Sequence, residues 1–105
     1  MAQFSAYHNL NPLSKNTYPY LLDIQTTLLN DLETRLVIPL TPKKKLEKGI
    51  IKNLNPIIKI ENKEYIVLTQ QMAAIPIKNI GAMISECLSN RQEIIAAVDF
   101  LITGI

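Results

Sequence analysis

The sequence predicts an α+β chain in which a small antiparallel barrel or sandwich is followed by one C-terminal helix. Short segments within the first 80 residues alternate apolar and polar side chains, the period of two that turns one face of a strand to a core. From Ser89 the period changes. Ile94, Ile95, Val98, Leu101 and Ile102 recur at i, i+1, i+4, i+7 and i+8, which is one broad helical stripe. A length of 105 residues suits one hydrophobic core and not two, so a single domain over 1–105 is expected, with strands in 1–80 and the helix over about 89–102.

The elements follow in order. Phe4 and Ala6 alternate with Gln3 and Ser5 in a first strand, and "NLNPLSKNTYP" is a long loop by its Asn, Pro and Ser content. Tyr20, Leu22 and Ile24 then share one face of a strand, with Leu21, Asp23 and Gln25 on the other. After the polar turn "TLLNDLETR", Leu36, Ile38 and Leu40 in "RLVIPL" repeat the alternation, so the two segments read as antiparallel neighbours. Pro39 has no N–H for a ladder and puts its position at an edge or a bulge. "TPKKKLEKGIIKNLNP" is a surface excursion between Pro42 and Pro56. "IIKI" and "EYIVLTQ" flank "ENK", where Asn62 tolerates the left-handed conformation of a tight hairpin. "MAAIPIKNIG" is a further strand, with Pro76 again at an edge or bulge. Ser89 and Gln92 have the S-x-x-Q spacing of a capping box, which starts the helix at Ser89. The sum is about five strands and a helix of about four turns.

Composition excludes several function classes. A net charge of +2 is a smaller basic excess than phosphate-gripping proteins carry, so nucleic acid is permitted but not indicated. Cys87 is the only cysteine, which removes intrachain disulfides and multi-cysteine metal sites and fits a reducing cytoplasm. "MAQFSAYHNL" lacks the pattern of a signal peptide, and no apolar run approaches the roughly 18 residues of a membrane span. A cytoplasmic location is therefore expected. The three glycines, Gly49, Gly81 and Gly104, lie too far apart for a phosphate loop, and His8 is the sole histidine. No set of residues suggests a catalytic site, a metal site or a cofactor.

Two features remain. Lys43, Lys44 and Lys45, with Lys48 and Lys52, are the one concentration of charge, and read either as a solvated loop or as a patch for an acidic peptide or nucleic acid. Thr103, Gly104 and Ile105 close the sequence without a polar tail. They read either as an exposed apolar docking tip or as a terminus in which Ile105 folds back on the core.

Taken together, "LLDIQTTLLN", "TRLVIPL", "NPIIKI", "MAAIPIKNIG", "LSNRQEIIAAVDFLITGI" and the terminal Gly-Ile resemble the CcdB family, the toxin halves of control-of-cell-death toxin–antitoxin systems. The resemblance runs from "QF" near the start to the last isoleucine. It implies an SH3-like β-barrel of antiparallel strands with a small extra sheet and one C-terminal helix. It also implies a homodimer that is not an enzyme, that binds the A subunit of DNA gyrase and traps the cleaved gyrase–DNA complex, and that makes no direct nucleic-acid or membrane contact. Carried over by position, the gyrase-binding residues are Thr26 and Leu28, after "LLDIQ", with Asp99, Thr103, Gly104 and Ile105. Neutralisation falls to a cognate antitoxin with a disordered C-terminal segment, for which Lys43, Lys44 and Lys45 are the expected contacts. Thr103 stands where the best-known plasmid member has tryptophan, and Asp99 where it has asparagine. A toxin-fold endoribonuclease and a non-toxic antitoxin-binding homologue are the alternative readings. No constellation of His, Arg and acid in this sequence supports the first of these.

Overall fold

Seven strands form one curled antiparallel sheet, a half-barrel, in a computed structural model that describes residues 1–46 and 48–104 of the protein. The strands are β1 (Ser5–Asn9), β2 (Tyr20–Asp23), β3 (Thr34–Pro42), β4 (Ile57–Ile60), β5 (Lys63–Val67), β6 (Ala73–Pro76) and β7 (Ile80–Glu86). One α-helix, α1 (Arg91–Thr103), follows them among the described residues. The sheet order is β4-β5-β3-β2-β1-β7, with β6 joined to β3. Barrel-like α+β architecture is thus the observed class.

The nine-residue β3 organises the sheet. On one side it pairs with β2, from Val37 opposite Asp23 to Leu40 opposite Tyr20. On the other it changes partner: Thr34 to Val37 pair with β6, and Leu40 to Pro42 pair with β5. Pro39 falls at this change of partner, not at an edge or a bulge as its chemistry alone suggested. The Ile24 N–H donates to Leu36 O at 3.0 Å, and alternation from there turns residue 39 away from β2. Its carbonyl accepts from Leu68 N–H at 3.1 Å, just where β5 leaves β3, so the N–H it lacks is missed only at the end of a pairing. Pro76 does end β6, which pairs with β3 alone.

Local rules explain the hairpin between β4 and β5. Glu61 and Asn62 have φ of 51° and 67°, the pair of left-handed residues of a type I′ turn, so Ile60 meets Lys63 directly. β7 follows another logic. Its register against β1 shifts between Ala6 and Tyr7 and again between Tyr7 and Asn9, so its side chains keep no simple alternation. Strands therefore run on to Glu86, past the expected limit near residue 80. Gly81 belongs to this irregular pairing, since a Cβ there would lie 3.1 Å from His8 Cβ and 3.0 Å from Leu10 Cδ2.

α1 starts at Arg91, and the S-x-x-Q box does not form. Ser89 lies within a 3-10 turn, Leu88–Asn90, and Asn90 is the N-cap without a side-chain capping bond. The approach of the chain fixes this. Cys87 N–H is held by Phe4 O at 2.8 Å, and the turn closes on Cys87 O through Asn90 N–H at 3.0 Å, leaving Ser89 one residue too early. The core joins Ala6, Leu22, Ile38, Val67 and Ile94, so the helix seals the sheet through its first turns. Each of the larger side chains, Leu22, Ile38, Val67 and Ile94, contributes about 1.5–3 kcal/mol by leaving water. Full burial ends at Ala97, Val98 and Phe100 are half-buried, and residues 101–104 are exposed.

Candidate functional site

The free end of α1 is built by its own backbone. Gly104 sits at φ 75°, the left-handed cap conformation, and its N–H bonds to Phe100 O at 2.9 Å. Thr103 Oγ1 donates to Asp99 O at 2.7 Å, one turn back. Ile102 is 70% exposed, and Thr103 and Gly104 are exposed beside it. Asp99 is exposed and borders a shallow groove of about 160 Å³ that Phe4, Ile24 and Val98 also line. Ile105 lies outside the described residues.

The second group stands on the connection from β2 to β3. Thr26 Oγ1 accepts from Leu28 N–H at 3.3 Å and so caps a 3-10 turn, Thr27–Leu29. Leu28 is 91% exposed, and Leu29 and Leu32 are exposed with it. Three exposed leucines in five residues are an apolar surface that water disfavours. Ile24, two residues before Thr26, lines the same groove as Asp99 and so links this turn to the helix.

Beneath the turn lies a buried polar cluster. Arg35 and Asp23 are both fully buried; Nη2 lies 2.5 Å from Asp23 Oδ2 and Nε 3.3 Å from Oδ1. Arg35 Nη2 also donates to Gln25 O at 3.0 Å, and Nη1 to Asn30 Oδ1 at 2.5 Å. Gln25 adds two bonds, Nε2 to Leu29 O at 3.0 Å and Oε1 from Leu36 N–H at 2.9 Å. A bidentate guanidinium–carboxylate pair out of water needs partners for its remaining donors, and here Gln25 O and Asn30 Oδ1 take two of them. The sequence reading missed these residues. The available signal was one acid and one base in strands read as neighbours, each close to the turn that joins them.

The lysines lie elsewhere. Lys43–Lys45 form a 3-10 turn at the far end of β3 from the leucine turn, about 27 Å of strand away. Lys43 Nζ is 3.5 Å from Glu64 Oε1 in an exposed ion pair, and Lys45 Nζ donates to Asn16 O at 2.8 Å. Lys43 and Lys44 rim a groove of about 620 Å³ whose apolar lining includes Pro42, Ile50 and Tyr65. Burial, reinforced by a hydrogen bond with Tyr20, pushes the Tyr65 hydroxyl above its ordinary pKa and keeps it neutral. The structure thus places Asp99 on a groove that Ile24, just before the leucine turn, also lines, leaves Thr26 and Leu28 outside that lining, and sets the lysine turn at the other end of β3.

Other reactive groups are isolated. Cys87 is buried, and burial raises its thiol above the ordinary range, the opposite of what an activated nucleophile needs. His8 packs edge-on against Tyr20 with ring centroids 5.4 Å apart. No group of three or more His, Cys, Asp or Glu side chains is arranged for a metal ion among the described residues. No helix there is long and apolar enough to cross a membrane. A family model described as CcdB protein matches residues 3–104 of the chain.

Proposed function

The chain belongs to the CcdB family, the toxins of toxin–antitoxin systems, and from that membership we propose that it binds the A subunit of DNA gyrase and traps the enzyme on cleaved DNA. Its regulatory partner is an antitoxin. The toxin acts by binding alone, as a cytoplasmic homodimer without a catalytic residue, metal or cofactor. The contact surface comprises Thr26 and Leu28 on the turn, with Asp99, Thr103, Gly104 and Ile105 at the helix end.

One observation carries this reading: Leu28, 91% exposed, stands on a turn tethered to the buried Arg35, and Ile24 just before that turn lines one groove with Asp99 of the helix whose last turn is exposed. A leucine kept in water by a fixed backbone has its binding energy in reserve, about 1.5–3 kcal/mol when a partner covers it. The cognate antitoxin reaches Lys43, Lys44 and Lys45 with an acidic, disordered segment that folds on the toxin. That contact is largely electrostatic and lies apart from the gyrase surface.

The test is incubation of the protein with purified bacterial gyrase and supercoiled plasmid, beside a parallel incubation with RNA. Linear plasmid after protein denaturation, with intact RNA, is the expected result. Cleaved RNA without linear plasmid would replace the reading with an endoribonuclease. Neither product would leave a non-toxic antitoxin-binding protein.

A further inference from the structure

The leucine turn owes its shape to bonds from below rather than to packing of its own side chains. Leu28, Leu29 and Leu32 are exposed. What spans the turn is Arg35, which bonds Gln25 O before the turn and Asn30 Oδ1 after it, at 3.0 and 2.5 Å. The guanidinium is itself fixed by two bonds to Asp23, whose Oδ1 also accepts Gln25 N–H at 3.1 Å. Such a pair cannot rotate without leaving a buried charge unpaired, so the two anchor points of the turn are held at a fixed separation.

We propose that Arg35, seated on Asp23, is the positioning residue of the leucine turn, holding Thr26 and Leu28 in their docking conformation without touching the target. This rests on the reading that Thr26 and Leu28 contact gyrase. The advantage is preorganisation, because a turn ordered before docking loses no conformational freedom on binding. A purely structural pair would need only the bonds between Arg35 and Asp23. The bond from Nη1 to Asn30 lies outside that pair and constrains the turn alone.

Asn30 therefore supplies the test, since it is exposed and its replacement leaves the buried pair in place. Asn30→Ala removes the tether, Asn30→Asp keeps an acceptor for the guanidinium, and Gln25→Ala removes the second tether at Leu29 O. Leu28→Asp tests the underlying site. Each is measured by thermal melting, by amide hydrogen exchange at residues 28–30, and by the toxin concentration that half-maximally linearises plasmid with purified gyrase. We expect Asn30→Ala and Gln25→Ala to melt cooperatively, exchange faster in the turn, and require on the order of tenfold more toxin. Asn30→Asp should restore both readouts, and Leu28→Asp should abolish linearisation with unchanged exchange at residues 29–30. Parental potency in Asn30→Ala, with either exchange rate and whatever the independent Gln25→Ala result, overturns the positioning role of Arg35, while loss in Leu28→Asp preserves the site. Full potency in Leu28→Asp removes the site reading and the proposal with it.

Discussion

Thr103 offers the simplest single-residue test of the proposed gyrase-binding surface. Its hydroxyl is engaged with Asp99 O at 2.7 Å, so the helix end offers a small side chain whose polar atom is already bonded. An indole there would add a large apolar face beside Ile102. Thr103→Trp is expected to lower the toxin concentration needed for half-maximal plasmid linearisation by roughly tenfold, the scale of an aromatic anchor at an interface. Cys87 makes a different prediction. Burial raises its pKa in the folded chain, so its contribution to stability is complete below the unfolded thiol value of 9.0 and is lost as pH rises through the higher folded one. Denaturant melts of the parent and of Cys87→Ala should therefore converge as pH climbs above that value, and iodoacetamide should label the thiol no faster than the chain opens. Much at this scale was legible: Asn62 needs a positive φ and has one, and Gly104 does too. Asp23 and Arg35 were not, because strand alternation ranks residues by polarity and a fully buried ion pair contradicts that ranking.

At the level of elements, segments with clean alternation were the readable ones. β2 and β3 were found from their alternation, although Leu21 to Asp23 and Val37 to Thr41 are buried on both faces, and β4 and β5 were found from the turn between them. β7 hid because two register shifts against β1 break the period of two. The helix was found by its stripe, yet its start was misjudged, since tertiary tethering of Cys87 sets the entry of the chain and overrides a local S-x-x-Q spacing. Ser89→Ala consequently should change stability by less than about 0.5 kcal/mol in denaturant melts, as surface substitutions away from caps do. A loss nearer 1 kcal/mol would mean that Ser89 caps the helix after all. The stripe also runs past its support. Ile94 and Ala97 are buried, whereas Leu101 and Ile102 lie beyond the sheet and stay exposed.

On the scale of the molecule, β3 separates two surfaces. The leucine turn lies before its first residue and the lysine turn after its last. Family resemblance suggested the turn and helix-end residues and the run of charge suggested the lysines, but neither carried their arrangement, because spacing along a chain has no direction in space until β3 is laid through the sheet. The separation has a measurable consequence. Replacing Lys43, Lys44 and Lys45 together with alanine should weaken binding of the cognate antitoxin and flatten its salt dependence, while gyrase poisoning remains at parental strength. Poisoning that falls in step with antitoxin binding would show that the two surfaces are one. The central claim is that the helix end and the leucine turn are the poison. Its most direct measurement is gyrase cleavage of supercoiled plasmid by the intact protein beside a folded version lacking Gly104 and Ile105. Linear DNA with the intact protein and none with the shortened one is the predicted result; equal linear DNA from both would contradict it.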